Sequence, residues 1–259
     1  MAPVELLFTV LGGLAAGLVG ALMGLGGGLI AVPFVNLVLG LPMQVAASAG
    51  LVSTLATSAV SASRYLRQGG LVQVDVGLEL ALGAALGSLG GGLASGWLSG
   101  PVLQLVFAGV LVFAGASIAR QVVHAAGPVL DRAAPSPGRR MLAMALGSGS
   151  GVLSGLLGIG GGMLYVPILH LVLWLPFKQA SATSNFLMGL IVLPALFGHV
   201  HHGHVQIDLV APLAAGVLVG ASLGAWLMPR VRNRFLQIAF GVLLLVTAAE
   251  LVLKAVGAW

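Results

Sequence analysis

Stretches of about 20 apolar residues follow one another along this chain with almost no charge inside them, and that pattern leaves few ways to fold. Each stretch is long enough to cross a hydrocarbon core of roughly 30 Å as an α-helix. The sequence predicts spans at 43–64, 76–98, 102–123, 178–199, 208–229 and 235–256, plus two longer segments at 4–40 and 140–174. Inside lipid every backbone N–H and C=O must find its partner within the protein, so only helices or a closed barrel can cross. Barrel strands alternate in polarity over about 10 residues. These runs are apolar on all faces, which predicts an all-α polytopic membrane protein. Composition agrees, with 59% hydrophobic and 7% charged residues against about 25% charged in a soluble domain. The net charge of +5 is spread over loops between spans, so no nucleic-acid partner is expected; the lipid bilayer is. The count of zero cysteines excludes disulfides and thiolate metal sites. The first apolar segment lacks a basic start and runs too long for a cleaved signal peptide.

The chain carries an internal duplication. Gly24-Leu25-Gly26-Gly27-Gly28-Leu29-Ile30-Ala31-Val32-Pro33 matches Gly158-Ile159-Gly160-Gly161-Gly162-Met163-Leu164-Tyr165-Val166-Pro167, an offset of 158 − 24 = 134. The register continues through Leu41-Pro42 against Leu175-Pro176. After one deletion, Val72-Gln73-Val74-Asp75 matches Val205-Gln206-Ile207-Asp208, and Gly83, Gly87 and Gly91 match Gly216, Gly220 and Gly224. We therefore expect repeat 1 over 1–125, a cytoplasmic linker over 126–139 and repeat 2 over 140–259, the repeats together forming one transport domain.

Basic residues suggest how the repeats sit, because cytoplasmic loops collect Lys and Arg. Arg64 and Arg67 precede Asp75 in the first repeat, whereas Arg230, Arg232 and Arg234 fill the other loop of the second. The halves are thus expected to have inverted topology. Inversion needs an odd number of crossings, so each long segment is predicted to be a re-entrant helical hairpin broken at its glycines, followed by three transmembrane helices. Both termini then lie outside the cytoplasm, in a multi-pass protein of the cell inner (plasma) membrane.

Successive glycines unwind a helix, and the N–H groups freed where the next half-helix begins carry about half a positive charge. Discontinuous helices in inverted repeats bring two such ends together near the midplane, where anions bind. The half-helices are expected to begin near Leu29 and Met163, with Pro33 and Pro167 in their early turns. This makes Gly26, Gly27, Gly28, Gly160, Gly161 and Gly162 candidate substrate-binding residues.

The paired G-[LI]-G-G-G-x-x-x-V-P motifs, the duplicated layout and the length resemble the TauE/SafE family of membrane transporters, also described as sulfite exporters. That resemblance implies a small sulfur oxyanion, sulfite or an organosulfonate, as the transported partner, moved by alternating access. It also implies a Thr-Ser motif after each glycine motif. The second copy is Ala180-Ser181-Ala182-Thr183-Ser184-Asn185, which offers Thr183, Ser184 and Asn185 as hydrogen-bond donors to the anion. The first reads Ala46-Ala47-Ser48-Ala49-Gly50-Leu51 and lacks Thr-Ser, leaving Ser48 and Ser53 as its candidates.

Other residues suggest less. Asp75 and Asp208 stand just before spans, where helix N-caps are expected. His199, His201, His202 and His204 are read as a solvated outer loop, with a divalent metal carrier or channel as the alternative. A chloride or other anion channel is a further alternative. Ser148, Ser150 or Ser154 would serve an intramembrane enzyme, but no base is positioned for them, so no catalytic residue, metal or cofactor is assigned. Symmetric membrane proteins commonly dimerise, and a homodimer fits this layout.

Overall fold

The computed structural model describes residues 3–124 and 136–255. Among them there is no strand; ten helices follow in order: α1 (Pro3–Met23), α2 (Gly28–Val38), α3 (Met43–Arg67), α4 (Val74–Ala94), α5 (Gly100–His124), α6 (Pro137–Leu157), α7 (Gly162–Val172), α8 (Phe177–His201), α9 (Ile207–Leu227) and α10 (Asn233–Ala255). Six of them, α1, α3, α4, α6, α8 and α9, are long and apolar enough to cross a membrane. Their outer faces are apolar too, with Leu82 at 77% and Leu86 at 75% exposure on α4 alone. Such a surface requires lipid or another apolar partner. The chain is a multi-pass membrane protein. The expected linker lies mostly outside the described residues, and α6 begins at Pro137, inside the stretch assigned to it.

Each long glycine-rich segment is a full helix followed by a short one, rather than two half-helices. With 21 residues, α1 and α6 are each roughly 31 Å long at 1.5 Å per residue. The chain then reverses: Gly20 packs against Gly26 and Gly12 against Phe34, so α2 runs back along α1. Likewise Gly161 lies by Ser154, and the Tyr165 hydroxyl donates to the Gly147 carbonyl (3.2 Å), so α7 runs back along α6. Pro33 and Pro167 have no N–H to continue an α-helix, and a π-helical turn follows each.

Glycines set how the long helices meet. Gly13 and Gly17 of α1 face the backbone of Leu213 and Val217, while Gly216, Gly220 and Gly224 of α9 face Val10, Leu14 and Leu18. These small residues recur every fourth position, so two backbones approach without side chains between them. The numbers rise together, so α1 and α9 are parallel. The same holds for α4 and α6, through Gly87 with Ser148 and Gly91 with Val152, and for α4 and α8, through Gly77 with Phe186 and Gly92 with Ala195. Between α3 and α8 the order reverses: Ser58 donates to the Asn185 carbonyl (2.5 Å), and Leu51 packs with Val192 and Ala195. The first helix of each half thus packs on the other half. A Gly220→Leu variant, whose added atoms would overlap the Leu14 carbonyl, is expected to separate α1 from α9 and to lose its monodisperse peak in size-exclusion chromatography.

The two ends of the bundle differ in charge. At one end Arg140 pairs with Glu79 (3.0 Å), Lys178 donates to the Pro229 carbonyl (2.7 Å), Gln179 donates to the Gly70 carbonyl (3.2 Å), and Arg64 and Arg67 lie beside Ser222. At the other end Ser48 donates to the His204 carbonyl (2.9 Å) and Gln44 to the Leu98 carbonyl (3.2 Å). The expected aspartate caps are corrected. Gln73 and Gln206 occupy the N-cap positions without a side-chain bond, and Asp75 and Asp208 sit in the first turn, where their charge opposes the positive helix end.

Candidate functional site

The two glycine breaks cross in the middle of the fold. A methyl group at Gly28 would lie 2.7 Å from the Gly158 carbonyl oxygen, and one at Gly162 would lie 2.5 Å from that of Gly24. The starts of α2 and α7 therefore face each other's breaks, one residue before the Leu29 and Met163 expected from sequence. Gly160 and Gly161 adopt φ of 70° and 77°, which side chains rarely tolerate, so this stretch of chain depends on glycine. Gly27 is different: its φ is −74°, and closeness to Ser53 is what excludes a side chain.

Thr54 lies between the breaks. Its methyl group would collide with any Cβ at Gly26 or Gly160, and its hydroxyl accepts a hydrogen bond from the Gly28 N–H (3.1 Å). The position matching Thr54 in the second half is Met188, since 54 + 134 = 188, so the α7 start has no such cap. From α8, Ser184 donates to the Gly24 carbonyl (2.8 Å), and the Asn185 side-chain amide donates to the Ala21 carbonyl (3.1 Å). These bonds satisfy carbonyls that α1 leaves open at its end.

Around this crossing the Ser53, Ser154 and Ser181 hydroxyls and the Asn185 amide oxygen are buried without a partner. Ser53 adjoins Gly27, Ser154 adjoins Gly161 and Ser181 adjoins Gly24. Native interiors satisfy most such groups, because each open one costs about 1–3 kcal/mol. Ser53, Thr54, Ser154, Ser181, Ser184 and Asn185 all have zero exposure, so this conformation is closed to solvent at the crossing.

Of the residues singled out by sequence, the crossing gathers Gly26, Gly27, Gly28, Gly160, Gly161, Gly162, Ser53, Ser184 and Asn185. Thr183 is turned elsewhere, its hydroxyl accepting from the Gln73 N–H (3.0 Å). Ser48 donates to the Val45 and His204 carbonyls. Thr54, Ser154 and Ser181 were missed as site residues; the contrast between Thr54 and Met188 in the repeat alignment was the available signal. Ser148 and Ser150 donate back to the Met144 and Leu146 carbonyls of their own helix.

With this geometry in view, comparison with known proteins is decisive. The model of the sulfite exporter TauE/SafE family matches residues 9–251. The chain belongs to the TauE/SafE family. Its relatives there include a probable membrane transporter protein, YunE, of Bacillus subtilis, 27% identical over 263 residues that cover 94% of this chain and 96% of the relative. Another is the probable membrane transporter protein MJ0441 of Methanocaldococcus jannaschii, 23% identical over 252 residues and 90% of each chain. No solved structure matches the chain. TauE/SafE proteins are a membrane transporter family, and the match runs from within the first described helix into the last.

Proposed function

We propose that this TauE/SafE transporter moves a small sulfur oxyanion, sulfite or an organosulfonate, and binds it where the two glycine breaks cross. One observation carries the reading: four buried polar atoms, three of them hydroxyls able to donate, stand unpartnered around the opposed starts of the short helices α2 and α7. Helix starts favour negative charge, and hydroxyls turned inward supply the hydrogen bonds that a desolvated oxyanion needs. Because the crossing is sealed, the anion reaches it only when the bundle opens, which supports alternating access over an open pore. The antiparallel run of α3 and α8, matched elements at 43 + 134 = 177, supports inverted halves.

The arginine-rich end is then cytoplasmic, and both chain ends lie outside, in the inner membrane. Transport needs no covalent step, and among the described residues no serine at the crossing is hydrogen-bonded to a histidine or a carboxylate. A homodimer remains part of the proposal through the lipid-facing apolar surface.

Gly27→Leu and Gly161→Leu are expected to abolish radiolabelled sulfite uptake by reconstituted vesicles while both variants still insert. Retained uptake by either overturns the site. Competition by sulfate, sulfoacetate, taurine and chloride ranks the substrate, and preference for chloride over every sulfur anion overturns the substrate class.

A further inference from the structure

The second half carries a histidine where the first half carries a tyrosine. Tyr65 donates its hydroxyl to the Ala21 carbonyl (2.7 Å), three residues before the first break. Adding the offset, 65 + 134 = 199 and 21 + 134 = 155, and in the structure His199 Nε2 indeed meets the Gly155 carbonyl (2.9 Å) just before the second break. Each bond ties the last turn of a glycine-broken helix to the long helix beside it. Only one of them is made by a side chain that gains a proton near neutral pH.

The surroundings favour such an event. His199 is fully buried on α8, which corrects the reading of this histidine run as a solvated loop; the helix simply continues through His201. A carbonyl only accepts, so Nε2 carries the hydrogen, and Nδ1 is left buried without a partner. The His204 Nδ1 is buried and unpartnered as well. The rings of His199 and His204 are 5.6 Å apart, and those of His202 and His204 are 5.5 Å apart. His202 Nε2 in turn meets the Leu93 carbonyl (2.9 Å) at the end of α4. Three imidazoles thus adjoin one another at the arginine-poor end of the bundle. Among the described residues no three ligands converge to hold a metal ion.

We propose that His199, His202 and His204 form a proton-binding site whose charging releases the end of α6 next to the second glycine break. Among the described residues no carboxylate pairs with any of the three rings. On the elements packed around them, Arg64 and Arg67 of α3, Asp75 and Glu79 of α4, Arg139 and Arg140 of α6, and Lys178 of α8 all belong to the opposite end. Only His201 and Asp208 are near in sequence, and both are exposed. Charging adds a hydrogen to the buried, partnerless Nδ1 while Nε2 still donates to Gly155; that ion has no counter-ion in its buried position, so the ring must shift toward water and draw the Gly155 carbonyl with it. Burial, and next the charge of His202, hold the His204 imidazole below its ordinary range. A base with a lowered folded value binds fewer protons folded than unfolded. The closed state therefore bears no penalty above a pH of about 6.5 and weakens as pH falls below it. The use of this device in transport rests on the proposed function, but its test needs no substrate.

The test is hydrogen exchange on the full chain in lipid nanodiscs at pH 8 and pH 5.5, corrected for intrinsic rates and read at two matched segments, 21–26 and 155–160. Wild-type protection over 155–160 is expected to fall by about tenfold or more on acidification, while 21–26 is unchanged. His199→Tyr, which copies Tyr65, is expected to remove the pH effect. His204→Gln keeps the bond to Gly155 and removes a like charge 5.6 Å from the His199 ring, so it is expected to move the loosening to higher pH, and it carries the test where His199→Tyr does not fold. Equal protection at both pH values in the wild type, equal loosening of both segments, or an unchanged profile in His204→Gln overturns the proposal.

Discussion

Gly158→Ala is expected to abolish recovery of folded protein. Gly158 has φ of 74°, so any side chain there carries a left-handed penalty of about 1–2 kcal/mol. The larger effect is steric. The new methyl group would overlap the carbonyl oxygen, Cα and carbonyl carbon of Ala47, all backbone atoms near the start of α3. A flexible side chain can swing away, but a helix backbone cannot, so α3 must leave the break and expose the starts of both short helices. Such a change belongs with the rare substitutions costing more than about 4 kcal/mol. Gly149→Ala, in open space on α6, is the control and should elute as the wild type does in detergent. Normal elution and thermal stability of Gly158→Ala would sink the described crossing.

The second large effect is expected at Gly160, and here a partner change should restore part of what is lost. An alanine at Gly160 meets the methyl group of Thr54 first, with the hydroxyl next. Thr54→Ser removes that methyl group and keeps the oxygen that accepts from the Gly28 N–H. Gly160→Ala alone should lose sulfite flux and several degrees of melting temperature. Combined with Thr54→Ser it should regain part of both, with a coupling energy of about 1–3 kcal/mol. The φ of 70° at Gly160 keeps the rescue incomplete. Strict additivity of the two changes would mean that Thr54 does not contact the second break.

The spans and both breaks were legible because their signals are local. Polar or proline-bearing segments end the apolar runs, and each break carries the repeated G-[LI]-G-G-G-x-x-x-V-P motif, whereas Gly90-Gly91-Gly92 stay helical within α4. Predicted and observed helix ends differ by only a few residues. The lining of the crossing was less legible, for two reasons. Adjacent helical residues point about 100° apart, so Thr183 and Ser184 cannot both face the break, whereas Ser181 and Ser184, three apart, can. A motif names the neighbourhood without choosing among its faces. Contacts between halves, such as Thr54 with Gly160 or Ser184 with Gly24, bring together residues whose spacing along the chain has no period to detect. The aspartates misled because a residue at the start of an apolar run suits a cap and a first-turn position equally well, and only backbone angles separate the two.

The pairing of α1 with α9 has a consequence for how the protein is made. α1 leaves the ribosome well before α9, its permanent neighbour, has been synthesised. Until then its glycine stripe, shaped for another backbone, faces lipid or a helper protein. Neither repeat can finish on its own, so although inheritance copied a half, what matures in the membrane is the whole.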